Sequence, residues 1–191
     1  MPPDSTATRK SLLDAAFCEF AQHGLSGARI DRIGAEAGAN KRLLYVYFGN
    51  KDELFDVVVQ HSVNAVAQAV PFDADDLPAY AGALFDYLLE HSGHLRLAAW
   101  AQFERPQPSL SEVDAYRAKI DAIVEAQARG VVTPDIDAVD LLALLLGLVT
   151  SWAGASPALR QAGTSDPFDP QVVVRHRRAL LTAVLALCTP R

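Results

Sequence analysis

Apolar residues recur along this chain at helical spacing, and strand-like alternation between turn signals is missing. Leu12, Leu13, Ala16, Phe17 and Phe20 fall on one face of a helix over residues 8–23, and Gly24 is placed to end it. Further helices are predicted over 29–37, 40–47 and from about 51 towards 70, with Asn50 as the cap of the last. Pro71 and the acidic stretch to Pro78 make a linker. Helices over 77–90, 94–104, 109–129, 136–153 and 171–188 follow, and Pro106-Gln107-Pro108 is a hard stop between the second and third of these. The segment 156–170, rich in Pro, Gly, Ser and Asp, reads as a loop. The expected fold class is all-α: a small N-terminal three-helix unit, then a larger C-terminal helical domain. The boundary is drawn as 1–50 and 51–191.

The chain has 191 residues, of which 50% are hydrophobic and 21% charged. That suffices for one large core plus a small appended domain and excludes a disordered composition. A net charge of -6 argues at first against a nucleic-acid partner. DNA, however, feels only the field within about 10 Å at moderate salt. No acid occurs between Ala37 and Lys51, whereas Lys41, Arg42 and Lys51 do. The acids gather elsewhere, in 73–76 and 135–137. A small basic tip on an acidic body suits a selective binder.

Cys18 and Cys188 stand at opposite ends, and no CxxC spacing suggests zinc or redox chemistry. The first residues lack the basic and apolar regions of an export signal, so the cytoplasm is the expected compartment. The apolar run 141–155 contains Thr150 and Ser151 and falls short of the roughly 18 residues that suggest a membrane span. No membrane partner, cofactor or metal is expected. His91 and His94 beside Glu90 lack a third ligand at suitable spacing.

The stretch 30–51 reads as two short helices joined by a tight turn at Gly38-Ala39. Glycine suits a backbone that reverses sharply. Asn40 can cap the second helix, and Lys41 and Arg42 then occupy its first turn, from which side chains reach base edges. Leu44 and Phe48 lie four apart and face inward. Tyr45 is free to pack on sugar or a thymine methyl, and Tyr47 to donate to a phosphate. Lys51 adds charge where backbone amides at the next helix N-terminus can also grip a phosphate.

The pattern from Thr8 to Leu54 resembles the TetR family of transcriptional repressors. The matching residues are Ala15-Ala16-Phe17, Phe20, Gly24, Ile30, Ile33, Ala37-Gly38 and the block Leu44-Tyr45-Val46-Tyr47-Phe48-Gly49-Asn50-Lys51-Asp52-Glu53-Leu54. The resemblance implies a homodimeric, all-helical repressor, not an enzyme. It would bind a double-stranded palindromic operator and release it when a small molecule enters the C-terminal domain. Three departures stand out. Ala28 replaces a frequent threonine cap, which leaves the second helix less well capped. Leu43 replaces a hydroxyl residue, so it would touch a thymine methyl or simply pack. Arg42 stands where a small residue is common and is the expected reader of a guanine.

The helix over 136–153 carries Leu141, Leu144, Leu145, Leu148 and Trp152 on one face, and Leu142, Leu146 and Val149 widen it beyond the arc that one core needs. The last helix adds His176, Leu180 and Val184. In TetR-like proteins the last two helices pair across a two-fold axis, so these residues are the expected dimer interface. Phe85, His91, Trp100, Phe103, Glu104, Tyr116, Ile120 and Trp152 are candidates for a pocket that takes an apolar effector. Arg175, Arg177 and Arg178 read as a solvated face. Two other classes remain open. One is an enzyme using His91, His94 or Glu104 as acid or base, although no catalytic motif is present. The other is a helical interaction protein without a DNA role.

Overall fold

The computed structural model describes residues 5–105, 107–163, 166 and 168–190. Pro106 of the expected stop, and residues 164, 165 and 167 of the expected loop, lie outside them. Ten helices occupy the described residues, and no strand is found among them: α1 (Ser5–Gly27), α2 (Ile30–Glu36), α3 (Lys41–Phe48), α4 (Lys51–Ala69), α5 (Leu77–Glu90), α6 (Gly93–Glu104), α7 (Leu110–Ala128), α8 (Ala138–Gly154), α9 (Pro157–Gly163) and α10 (Pro170–Cys188). Two compact units result. One holds α1 to α4 with α6, the other α5 with α7 to α10. Packing therefore groups α4 and α6 with the N-terminal helices, a different division from the functional one drawn at residue 50.

In the first unit Leu12, Ala16, Phe20, Ile33, Leu54, Phe55 and Leu97 are all at most 1% exposed. Phe20 and Phe55 meet edge to face at 5.0 Å. Each of these rings contributes about 1.5–3 kcal/mol by leaving water. α6 runs along α1. Phe17 of α1 lies against the His94 ring at 4.9 Å, and His94 in turn pairs with Ser62 of α4 at 2.6 Å. Arg105 ties the end of α6 to Asp52 and Asp56 of α4 at 2.8 and 3.0 Å.

Gly24 ends the straight run of α1, as its place in the sequence predicts; its φ of 67° and ψ of -178° open a kink before a last turn to Gly27. The amides that the kink exposes are taken by the Glu104 carboxylate, which accepts from Leu25 N at 2.5 Å and Ser26 N at 2.9 Å. Asn50 caps α4 as predicted, accepting from Glu53 N at 2.9 Å while the Glu53 carboxylate accepts from Asn50 N at 3.3 Å. This reciprocal pair satisfies two amides that the helix itself leaves open.

In the second unit Leu77, Ile123, Leu141, Leu145 and Val184 are at most 1% exposed. Asp137 caps α8 through Val139 N, and Asp169 caps α10 through Gln171 N, with Pro170 opening that helix. Two expectations are corrected here. Part of the segment read as a loop is helical: Ser156 accepts from Leu159 N at 3.1 Å, Pro157 starts α9, and the following alanine, leucine, arginine and glutamine favour helix. Arg177 is not merely solvated. Its Nε donates to both oxygens of Asp86 on α5 at 2.8 and 2.9 Å. Among the described residues no single helix is long and apolar enough to cross a membrane.

Candidate nucleic-acid interface

α2 ends in a tight closure. Ala37 N donates to Ile33 O at 3.0 Å, Gly38 N to Ala35 O at 3.2 Å and Ala39 N to Gly34 O at 2.9 Å. Gly38 takes a φ of 61°, the left-handed region that a Cβ disfavours. Asn40 then caps α3, its side chain accepting from Arg42 N at 2.8 Å. The cap sets the start of the helix, and the start decides which residues face out. Leu44 and Phe48 are 2% and 5% exposed against the core that holds Ile33. Asn40, Lys41, Arg42, Tyr45 and Val46 face solvent, and Leu43 and Tyr47 are half-buried at the flanks.

The charged residues of this face differ in what holds them. Lys41 pairs with Asp31 at 3.1 Å on the surface. Among the described residues the Arg42 guanidinium has no partner. Lys51, the first residue of α4, is half-buried, and its ammonium donates to Ala28 O at 3.3 Å. Sequence reasoning passed over two residues. Val46, 68% exposed, stands on the outer face of α3. Arg9 lies over the Phe48 ring at 5.1 Å. The one-turn spacing of Arg42 and Val46 was a readable sign for the first; nothing local indicated the second.

What holds α2 against α1 is Glu19, buried at 8% exposure. The N-cap of α2 falls at Arg29, one residue after the expected Ala28, and Arg29 makes no side-chain cap bond. Instead Glu19 accepts from Arg29 N at 2.7 Å and from Arg32 Nε and Nη2 at 2.8 and 2.5 Å. Burial alone raises the Glu19 pKa. The Arg32 and Arg29 hydrogen bonds, with the charges of Arg32 and His23, outweigh it and hold the carboxyl below its ordinary 4.5. A group shifted this way stabilises the fold fully above about pH 4.5, and that contribution fades as pH falls further. Glu19→Gln is therefore expected to lower the melting temperature at pH 7 and to flatten its decline below pH 4.5. Thermal melts across pH check both; parallel acid limbs for the two proteins count against the role.

The expected pocket residues divide between the units. In the first, Phe103 is 81% exposed, His91 is exposed, Trp100 covers Gly24, and Glu104 is committed to the Leu25 and Ser26 amides. In the second, Phe85 is buried and faces the His176 ring, Trp152 lies against the same ring at 4.8 Å, and Ile120 and Tyr116 lie on α7. Of the expected dimer residues, Leu141, Leu145, Leu180 and Val184 are at most 3% exposed within their own unit. They have no surface left for a second copy, which corrects their assignment. Leu148, Trp152 and His176 are half-buried. The apolar surface left on α8 and α10 is Val139, Leu144, Val174 and Leu185, and a Cβ at Gly147 would meet nothing within 4 Å.

Residues 12–58 match the family model for bacterial regulatory proteins of the tetR family, and residues 76–185 match that for the tetracyclin repressor-like C-terminal domain. The chain belongs to the TetR family. It is similar to the HTH-type transcriptional repressor SCO4008 of Streptomyces coelicolor, 41% identical over 162 residues that cover 83% of this chain and 84% of that one. NicS of Pseudomonas putida, also an HTH-type transcriptional repressor, is 32% identical over 48% of this chain and 47% of its own. The crystal structure of SCO4942 from Streptomyces coelicolor superposes with a TM-score of 0.83 at 37% identity, covering 95% of this chain and 98% of that one. A TetR family regulator from Marinobacter aquaeolei, 16% identical with a TM-score of 0.71, shares the fold across 96% of this chain and 98% of its own. This TetR-family chain is a DNA-binding transcriptional regulator; regulators of this family bind operators and act as dimers.

Proposed function

We propose that this regulator represses transcription from a palindromic operator and leaves it when an apolar small molecule binds the C-terminal unit. The observation that carries the reading is the outer face of α3, where a capped first turn presents an Arg42 guanidinium that has no partner among the described residues. Arg42 reads a guanine edge in the major groove, and Tyr45 with Val46 packs on thymine methyls. Asn40, Lys41, Tyr47 and Lys51 lie along the backbone side and take phosphates, as do the first amides of α4. Leu43 packs at the flank. Lys41 must exchange Asp31 for a phosphate, so it contributes less than its charge alone suggests.

A palindrome needs two copies, with half-sites about 34–36 Å apart. Val139 and Leu144 of α8, with Val174 and Leu185 of α10, are the exposed apolar residues we assign to the partner copy. An effector acts by favouring an arrangement of the two α3 helices that no longer fits this spacing. Full reversal of the equilibrium requires about 5.5 kcal/mol of differential affinity. The cytoplasm is the compartment where operator and effector meet. That SCO4008 and NicS are repressors supports repression here. Selection from random-sequence DNA tests the reading. A two-fold symmetric sequence is expected to be enriched; enrichment of an asymmetric site, or of none, overturns it.

A further inference from the structure

Lys119 of α7 is a half-buried ammonium with no carboxylate partner among the described residues. Its Nζ sits among three aromatic rings, Phe72, Tyr80 and Tyr116, at 5.6, 5.7 and 5.8 Å from their centroids. Among the described residues its one hydrogen bond goes to the Tyr80 hydroxyl at 3.3 Å. An ammonium carries three donors, so two are uncommitted. The Tyr116 hydroxyl makes no hydrogen bond among the described residues, and Tyr116 is 42% exposed, so the cage is open on that side. The nearby acids of the linker are already used. Asp75 pairs with Arg129, and Asp73 accepts from Asp75 N at 2.9 Å. Glu112, one turn back from Tyr116, is the carboxylate whose charge reaches that phenol.

Elementary electrostatics makes this arrangement unusual. Removing an ammonium from water is costly, and aromatic faces return only part of what hydration supplied. Burial pulls the Lys119 pKa down and pushes that of Tyr80 up to about 12, with Tyr116 adding to the latter. Tyr80 thus stays a neutral phenol at physiological pH. The cluster is a set of hydrogen-bond donors around a single positive charge, walled by apolar rings.

From this geometry we infer that Lys119 and the Tyr116 hydroxyl bind the carboxylate of a small organic acid whose apolar body lies against Phe72 and Ile120. A monoanion suits the site better than a phosphate, because one cation faces it and Arg129 is held by Asp75. The inference names the class of effector, and so rests on the proposed release mechanism for what binding accomplishes, though not for binding itself.

The test measures the two separately, with 2-naphthoate and decanoate as probes and 2-naphthamide and decanamide as neutral controls. Calorimetric titration of the full chain is expected to show the acids binding at least about 10-fold more tightly than the amides, since a charge-assisted bond is lost in the latter. Lys119→Met is expected to remove that preference, and Tyr116→Phe to weaken the acids by about 2- to 10-fold with little effect on the amides. Should Lys119→Met fail to fold, the Tyr116→Phe comparison decides. Equal affinity for acid and amide, no measurable binding of either acid, or a preference untouched by the variants overturns the inference. A gel shift with the selected operator reads release on its own. Acids that bind through Lys119 yet leave the operator complex intact support the site and sink only the effector role.

Discussion

Gly24→Ala is expected to lower the melting temperature by roughly 6–20 °C, the larger of two effects that follow from the first unit. The backbone at Gly24 has φ 67° and ψ -178°, a region essentially closed to residues with a Cβ. Adopting it with alanine costs about 1–3 kcal/mol. The new Cβ would also stand 2.8 Å from two atoms of the Trp100 ring and 2.9 Å from Glu104 Oε2. Glu104 has little room to retreat, because it is held by the Leu25 and Ser26 amides. Overpacking of this kind adds about 1–3 kcal/mol. The sum is a large part of a typical stability of about 5–15 kcal/mol. Gly38→Ala is the control. Its φ is 61° but no atom lies within 4 Å of the added Cβ, so only the backbone cost applies. Equal melting temperatures for the two variants would show that the Trp100 and Glu104 contacts contribute nothing.

Arg42→Ala is expected to leave the melting temperature unchanged and to erase preference at one base pair in each half-site. The side chain is exposed and makes no hydrogen bond or ion pair among the described residues, so its removal opens no cavity and strands no charge. A bidentate guanine contact discriminates by about 1–3 kcal/mol. Two copies on a symmetric operator double that to about 2–6 kcal/mol, a loss of roughly 30-fold or more in specific affinity. Non-specific binding should fall far less, because it depends on phosphate contacts. Repeating the random-sequence selection with the variant checks the assignment. Recovery of the parental sequence with full preference at every position would remove Arg42 from base reading.

The residues that were legible from sequence are those whose roles are set within one or two helical turns. Asn40 and Asn50 were readable as caps because a cap bonds two or three residues ahead. Leu44 and Phe48 were readable as the inner face of α3 because they lie one turn apart. α5 spans Leu77–Glu90, the bounds its spacing predicts, for the same reason. In the segment containing α9 the composition is that of a loop, but the Ser156-Pro157 start followed by good helix formers prevails locally.

The all-helical class, the turn at Gly38 and the basic, outward first turn of α3 are thus properties of the chain's local order, since helix bonds and caps join residues three or four apart. Tertiary structure alone decided that Glu19 holds Arg32, that Glu104 reaches back 79 residues to Leu25, and that Lys119 sits among Phe72, Tyr80 and Tyr116. It also decided which apolar residues of α8 fill their own core and which stay outside. Periodicity shows that Leu141 and Leu144 lie on a broad apolar helix, but what covers each depends on packing partners distant in the chain, and no local spacing encodes their arrival.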